Sequence, residues 1–241
     1  LRASQFSYSK LEELEQKLGL EFSDKRWLRQ ALVHRSFLNE KSTAAKSKGL
    51  ESNQRLEFLG DAILGMVAAD FLFKQFPQRD EGGLTNLRSA LVRRETLTEW
   101  AKSFNLGEYL LLGKGEAGSG GRERPLNLAS AFEAIIGAIY KDKGLEAVTS
   151  WLMPFIKNEI EIVLAEGRDQ NYKSLLQVSA QKMFQLAPVY YIVSEEGPEH
   201  ERIFEVEVRI GEQIFGRGKG TTKQYAEQSA AKVTLETLSQ G

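Results

Sequence analysis

Gln54-Arg55-Leu56-Glu57-Phe58-Leu59-Gly60-Asp61 opens an apolar-rich run that continues to Phe76 and meets Pro77 just past its end. The spacing predicts a long helix, with the proline marking its stop. On that helix Glu57 and Asp61 stand at i and i+4 and share a face. Gln54 lies one turn earlier on the same side, while Leu56, Leu59 and Ile63 supply the apolar side. Like charges at this spacing repel by roughly a few tenths of a kcal/mol unless something compensates. A divalent cation that prefers hard oxygen ligands, Mg²⁺ or Mn²⁺, would do so. The plainer alternative is a solvated acidic face, which needs no ligand.

A second stretch repeats the theme. From Leu128 to Tyr140 the only charged residue is Glu133, with Ser130 three positions earlier on the same helical face. A lone carboxylate in an apolar helix is expected to be partly buried, and burying it unpaired is expensive. Either a metal or a partner such as arginine is therefore expected.

The rest of the composition narrows the classes. The chain has 241 residues, 41% hydrophobic and 27% charged, with Lys+Arg 32 against Asp+Glu 33 and a net charge of −1. This is the balance of a globular protein. There is no cysteine, which excludes disulfides, thiolate catalysis and Cys-ligated zinc. Two histidines, His34 and His200, argue against a multi-histidine metal site. No apolar run approaches the ~20 residues of a membrane span, and Leu1–Lys10 shows no secretory core, so a cytoplasmic location and no membrane partner are expected. The charge balance gives no hint of nucleic acid.

Periodicity divides the chain near residue 168. Helical patterns precede it: Leu11, Leu14, Leu18; Trp27, Leu28, Ala31, Leu32; a long amphipathic stretch from Leu84 to Phe104; and Val148–Leu164, with a kink or break expected at Pro154. After it come a helix over Tyr172–Phe184, β-like runs at Val189–Val193, Ile203–Ile210 and Gln213–Gly218, and an Ala-rich helix over Thr222–Leu238 with Thr222 as N-cap. The expected organisation is multidomain: an all-α domain over 1–164, a linker over 165–171, and a small α+β domain of order α-β-β-β-α over 172–241.

Arg55-Leu56-Glu57-Phe58-Leu59-Gly60-Asp61 resembles the signature of ribonuclease III endonucleases. Further segments match that family in order: His34–Glu40, Glu81–Arg88, Leu112–Glu116 with Gly120–Arg122, and Ala131–Tyr140. The C-terminal half resembles a double-stranded RNA-binding domain. The resemblance implies a homodimer that hydrolyses double-stranded RNA with Mg²⁺, or Mn²⁺ as a substitute, leaving 5′-phosphate and 3′-hydroxyl ends in rRNA and mRNA processing. It implies Glu57, Asp61 and Glu133 as catalytic metal ligands, Glu81 as a further acidic catalytic residue, and Phe58 as an aromatic that enters the partner subunit.

Two positions depart from the family pattern. Gln54 stands where the family has Glu, and Ser130 where it has an Asp metal ligand. Removing that negative charge is expected to weaken cation binding. The alternative is a double-stranded-RNA-binding protein of the same fold with weakened or absent cleavage. In the C-terminal half the resemblance implies RNA contacts from Ser174, Gln177 and Gln181 on the first helix, His200 in the loop between the first two strands, and Lys219 and Lys223 near the last helix. That half carries eight Lys+Arg against ten Asp+Glu from residue 169 onward, so phosphate binding is expected to be local rather than a general basic field.

Overall fold

The computed structural model describes residues 8–40, 50–198 and 202–239. Two compact units divide the chain, Leu1–Asp169 and Gln170–Gly241.

The first unit is helical. Its elements are α1 (Tyr8–Leu18), α2 (Lys25–Ala31), α3 (Arg35–Glu40), α4 (Gln54–Gln75), α5 (Glu81–Leu91), α6 (Arg94–Ser103), α7 (Leu106–Tyr109), α8 (Lys114–Gly118) and α9 (Pro125–Ala165). Helix α9 is the central element and packs on α4, α6 and α2. The core is aliphatic around Leu64, Leu72, Leu87, Leu97, Ile135 and Ile139, all essentially inaccessible. At one end Phe132 sits among Trp100, Phe104, Trp151 and Phe155, with ring centroids 5.5–6.5 Å from its own. Asp142 of α9 accepts the Ser23 and Asp24 backbone N–H groups at 2.8 Å, which ties the start of α2 to the central helix.

The structure alters two sequence expectations. Leu84–Phe104 is two helices, because Val92 and Arg93 leave helical geometry, Arg93 at φ −70°, ψ 158°. On one continuous helix the six residues from Leu91 to Leu97 would turn the face by about 240°. The bend lets both leucines reach the core. The interruption expected at Pro154 falls instead at Gly144, whose φ of +83° and ψ of −177° break α9. Glycine takes that conformation without the Cβ clash that bars other residues. Pro154 is accommodated inside the helix. It deprives the Ser150 carbonyl of its helical donor, and Ser150 is solvent-exposed, where water can serve.

The second unit has the order α10 (Tyr172–Phe184), β1 (Pro188–Glu196), β2 (Ile203–Ile210), β3 (Gln213–Gly220) and α11 (Lys223–Ser239). The strands form an antiparallel sheet in the order β1-β2-β3. Phe204, Val206, Val208 and Ile210 of β2 are buried with Leu176 and Ala180 of α10 and Ala226, Ala230 and Ala231 of α11. Three alternate glycines let α11 lie directly on the backbone of β3. A Cβ on Gly216, Gly218 or Gly220 would fall 2.5, 2.1 or 2.4 Å from Thr234 Oγ1, Ala230 N or Ala226 N. Thr222 Oγ1 accepts the Tyr225 N–H at 3.2 Å, the expected cap. Glu207 breaks the simple alternation. It is only 1% exposed although strand geometry points it away from the helices. Arg209 and Arg217 cover it with bonds of 2.6–3.0 Å and hold its carboxyl below the usual range.

Candidate active site

The crossing of α4 and α9 is set by glycine. A Cβ on Gly60 would stand 1.8 Å from the Glu133 carbonyl oxygen, and one on Gly137 would stand 2.3 Å from the Leu56 carbonyl oxygen. The two main chains therefore touch. Glu57 and Asp61 flank Gly60 on α4, and Ser130 and Glu133 precede Gly137 on α9, so this contact brings four sequence-expected residues together. The start of α4 is pinned as well: the Asn53 N–H donates to the Val33 carbonyl at 2.8 Å.

The electrostatics follow from the crossing. Glu133 is half-buried, and burial together with the charges of Asp61 and Glu57 raises its pKa to about 7. Arg94 of α6 opposes that shift. Among the described residues neither Asp61 nor Glu133 has an ion pair or a hydrogen bond to its carboxylate, and the arginine that acts on Glu133, Arg94, does so without an ion pair. Ser130 does not stand apart from the acids: its Oγ donates to Glu57 Oε1 at 2.8 Å.

The donor set suits a hard divalent cation, being three carboxylates with uncompensated charge. As the side chains stand, the described residues form no closed cluster of three acidic or imidazole ligands. Binding a cation therefore requires the carboxylates to turn, and Glu57 to share or release its bond to Ser130.

The other expected residues lie as follows. Gln54 opens α4, exposed, with Oε1 accepting from Ser52 Oγ at 3.3 Å. Glu81 opens α5, exposed, and accepts from Thr85 Oγ1 at 3.1 Å. It is not among the charges that shift Glu133. The His34 segment braces the neighbouring loop. His34 Nδ1 lies 2.8 Å from Ser36 Oγ, which accepts the Gly113 N–H, and Glu40 accepts the Lys114 and Gly115 N–H groups. Burial lowers the His34 pKa. Phe58 is 79% exposed, at the rim of a hollow of about 980 Å³ shared with Trp27, Gln30, Gln54, Arg55 and Lys141.

Two features escaped sequence reasoning: the role of Gly60 with Gly137, and Arg94 as the cation nearest in effect to Glu133. Glycine inside an otherwise apolar helix was the available signal for the first. Nothing in the spacing announces the second.

In the small unit, Ser174, Gln177 and Gln181 lie exposed along α10, with Val178 between them 70% exposed. Lys219 on β3 and Lys223 at the start of α11 are exposed. His200 lies outside the described residues.

Comparison with known proteins identifies both units. Residues 24–160 match the model of the Ribonuclease-III-like family, and residues 172–238 match the double-stranded RNA binding motif. The chain is 46% identical to Ribonuclease 3 of Roseiflexus sp. (strain RS-1) over 96% of its own length and 97% of that protein. It is also 46% identical to Ribonuclease 3 of Dehalococcoides mccartyi (strain ATCC BAA-2266 / KCTC 15142 / 195), covering 94% of each chain. The solved nuclease domain of ribonuclease III from Campylobacter jejuni superposes with a TM-score of 0.56 at 41% identity, covering 62% of this chain and 97% of that one. The helical unit with its α4–α9 crossing and the α-β-β-β-α unit are thus both accounted for: the chain belongs to the ribonuclease III family and is an endoribonuclease with a double-stranded RNA-binding domain.

Proposed function

We propose that the chain hydrolyses phosphodiester bonds in double-stranded RNA with a divalent cation, Mg²⁺ or Mn²⁺, leaving 5′-phosphate and 3′-hydroxyl ends. The observation that carries this reading is the meeting of Glu57, Asp61 and Glu133 at the Gly60–Gly137 contact, with Asp61 and Glu133 unpaired among the described residues. Glu57, Asp61 and Glu133 would hold the cation. When bound, it supplies Lewis-acid stabilisation of the phosphate and a more acidic water. The protein's own groups do the rest. Ser130 Oγ orients Glu57 by donating to Oε1. The Glu133 carboxyl releases its proton as positive charge arrives, since a pKa near 7 leaves it half-protonated at neutral pH. Glu81 serves as an outlying acidic group, and Gln54 offers a neutral amide where charge is expected. The uncompensated carboxylates favour cleavage over simple RNA holding, because a binding protein has no use for that repulsion.

The homodimer is supported by α4. Phe58, Met66 and Phe73 are 79%, 47% and 71% exposed and fall within an arc of about 80° on the helix. A second copy would cover this stripe, each Phe58 entering the hollow beside the other's, as a two-fold interface requires. The Campylobacter jejuni nuclease domain has a structurally flexible region involved in dimer formation. The small unit would read duplex RNA by shape through Ser174, Gln177 and Gln181, the His200 loop, and Lys219 and Lys223 toward phosphate. We assign the nuclease domain to 1–164, the linker to 165–171 and the binding domain to 172–241. Arg168 and Asp169 nevertheless ion-pair with Glu159 and Arg79 of the helical unit. We assign the activity to rRNA and mRNA processing in the cytoplasm, a compartment that suits a cysteine-free chain with no helix, among the described residues, long and apolar enough to cross a membrane.

The test incubates the full chain with long double-stranded RNA in Mg²⁺, in Mn²⁺ and in EDTA. Discrete products with 5′-phosphate ends are expected with metal only, and Glu57→Gln with Glu133→Gln should abolish them while RNA binding persists. No product with either metal overturns the reading and leaves an RNA-binding protein.

A further inference from the structure

The two lysines assigned to phosphate are already engaged. Lys219 Nζ stands 3.4 Å from Glu205 Oε2, and the two residues are direct partners across β2 and β3. Lys223 Nζ stands 3.3 Å from Glu195 Oε1 and 5.6 Å over the Phe204 ring. The other oxygen of Glu195 lies 3.6 Å from Arg202 Nη1. Both carboxylates sit at one end of the sheet but on opposite faces: Glu195 pairs with Phe204 on the side of the helices, whereas Glu205, paired with Ser194, and Lys219, between two glycines that meet α11, point the other way. These are surface pairs, with the lysines 57–64% exposed, so they can open.

We propose that Glu195 is a built-in competitor of phosphate that limits how tightly the small unit holds polyanions. The inference rests on the assignment of Lys223 as a phosphate contact. A free lysine that meets a duplex phosphate displaces condensed counterions, and each such contact adds about 0.9 to the slope of log affinity against log salt. A lysine held by a carboxylate must first give it up. The freed carboxylate lies beside the RNA, repels it and gathers a cation of its own. Affinity and salt slope both fall below what a free Lys223 would otherwise give. The remaining free energy must come from groups that fit only the duplex, the stripe of Ser174, Gln177 and Gln181. The device thus trades affinity for selectivity toward double-helical RNA over other polyanions.

The experiment measures binding of the full chain to an RNA duplex of about 16 base pairs in EDTA, across a salt series. Glu195→Gln is close in shape to the native residue and removes only charge. It should tighten binding by about two- to fivefold at low salt, the range of surface ion pairs, and steepen the salt slope. Glu205→Gln, on the opposite face of the sheet, and Glu236→Gln, in the later turns of α11, remove the same charge and should do much less. In a Lys223→Ala background the gain from Glu195→Gln should shrink to the part due to repulsion alone. Unchanged affinity and slope in Glu195→Gln, or a gain as large in Lys223→Ala as in the native chain, overturns the proposal. If Lys223→Ala itself leaves binding intact, the phosphate assignment falls and the proposal with it. If it weakens binding while Glu195→Gln changes nothing, only the proposal falls.

Discussion

In the helical unit Asp61 and Glu133 have no ion pair among the described residues, and the cation that acts on Glu133, Arg94, only partly opposes its shift. In the small unit Lys173, Arg202, Arg209, Arg217, Lys219 and Lys223 each hold a carboxylate. Both units rely on glycine to bring backbones into contact, yet one uses the contact to crowd like charges and the other to pack a helix on a strand. In the proposed reading, the difference separates a site suited to a small cation from a surface that has to lose an ion pair to engage an extended polyanion. An uncompensated carboxylate is a standing invitation to a metal, whereas a paired lysine has to be won over.

The largest expected effects test the glycine contacts that the units share. Gly60→Ala forces a methyl onto the Glu133 carbonyl, and Gly218→Ala forces one onto Ala230 N. Each should destabilise its own unit by about 3 kcal/mol or more, at the top of the range for overpacking. Hydrogen exchange should show protection falling only in the unit that carries the change. Loss in both units would erase the distinction drawn between them.

Next in size is the cost of charging Glu133, set by its burial and then by the charges of Asp61 and Glu57. Its folded pKa of about 7 lies above the ordinary carboxylate value, so the folded state binds this proton more tightly than the unfolded chain. Below both values the group is protonated in both states and has no effect. As pH rises to about 7 stability is lost, by at most about 3 kcal/mol. Glu133→Gln should therefore raise the melting temperature of metal-free protein at pH 8 and match the native chain near pH 4.5. A gap that does not change with pH would show that neither burial nor the neighbouring carboxylates weigh on this group.

The smallest effect sharpens the metal side of the comparison. Ser130→Asp replaces the donor to Glu57 with a fourth negative charge. Calorimetric Mg²⁺ affinity should rise, by roughly tenfold if the position acts as a ligand or through the outer shell, and cleavage at low Mg²⁺ should rise with it. Unaltered affinity would remove Ser130 from the metal site.

Much of the architecture was legible because it rests on local repetition. The long helix α4, the alternation of Phe204, Val206 and Val208, and the Thr222 cap each concern neighbours a few residues apart. What was not legible depended on phase or on distant partners. The bend at Val92–Arg93 resets the helix so that Leu91 and Leu97 both face inward. Pro154 looked like the stronger breaker, but Gly144 carries the positive φ, and the core on either side of Pro154, at Leu152 and Ile156, holds the helix together. At the site, spacing pointed to Glu57, Asp61 and Glu133. The Ser130–Glu57 bond joins residues 73 positions apart and has no local signature. Glu81 was grouped with these acids by resemblance, and here its carboxylate is held by Thr85 on its own helix.

The main-chain contact at Gly60 and Gly137 has one more consequence. Most interhelical distances are negotiated by side chains, so they drift as a core is repacked over generations. Here carbonyl oxygen meets glycine Cα, and the gap between the helices is a fixed gauge. Neighbouring core residues such as Leu64 or Ile136 are free to change size within what the core tolerates, without altering the spacing on which the carboxylates are mounted. Sequence wandering is absorbed elsewhere, and the tolerance of the whole site is concentrated in two hydrogen-sized side chains.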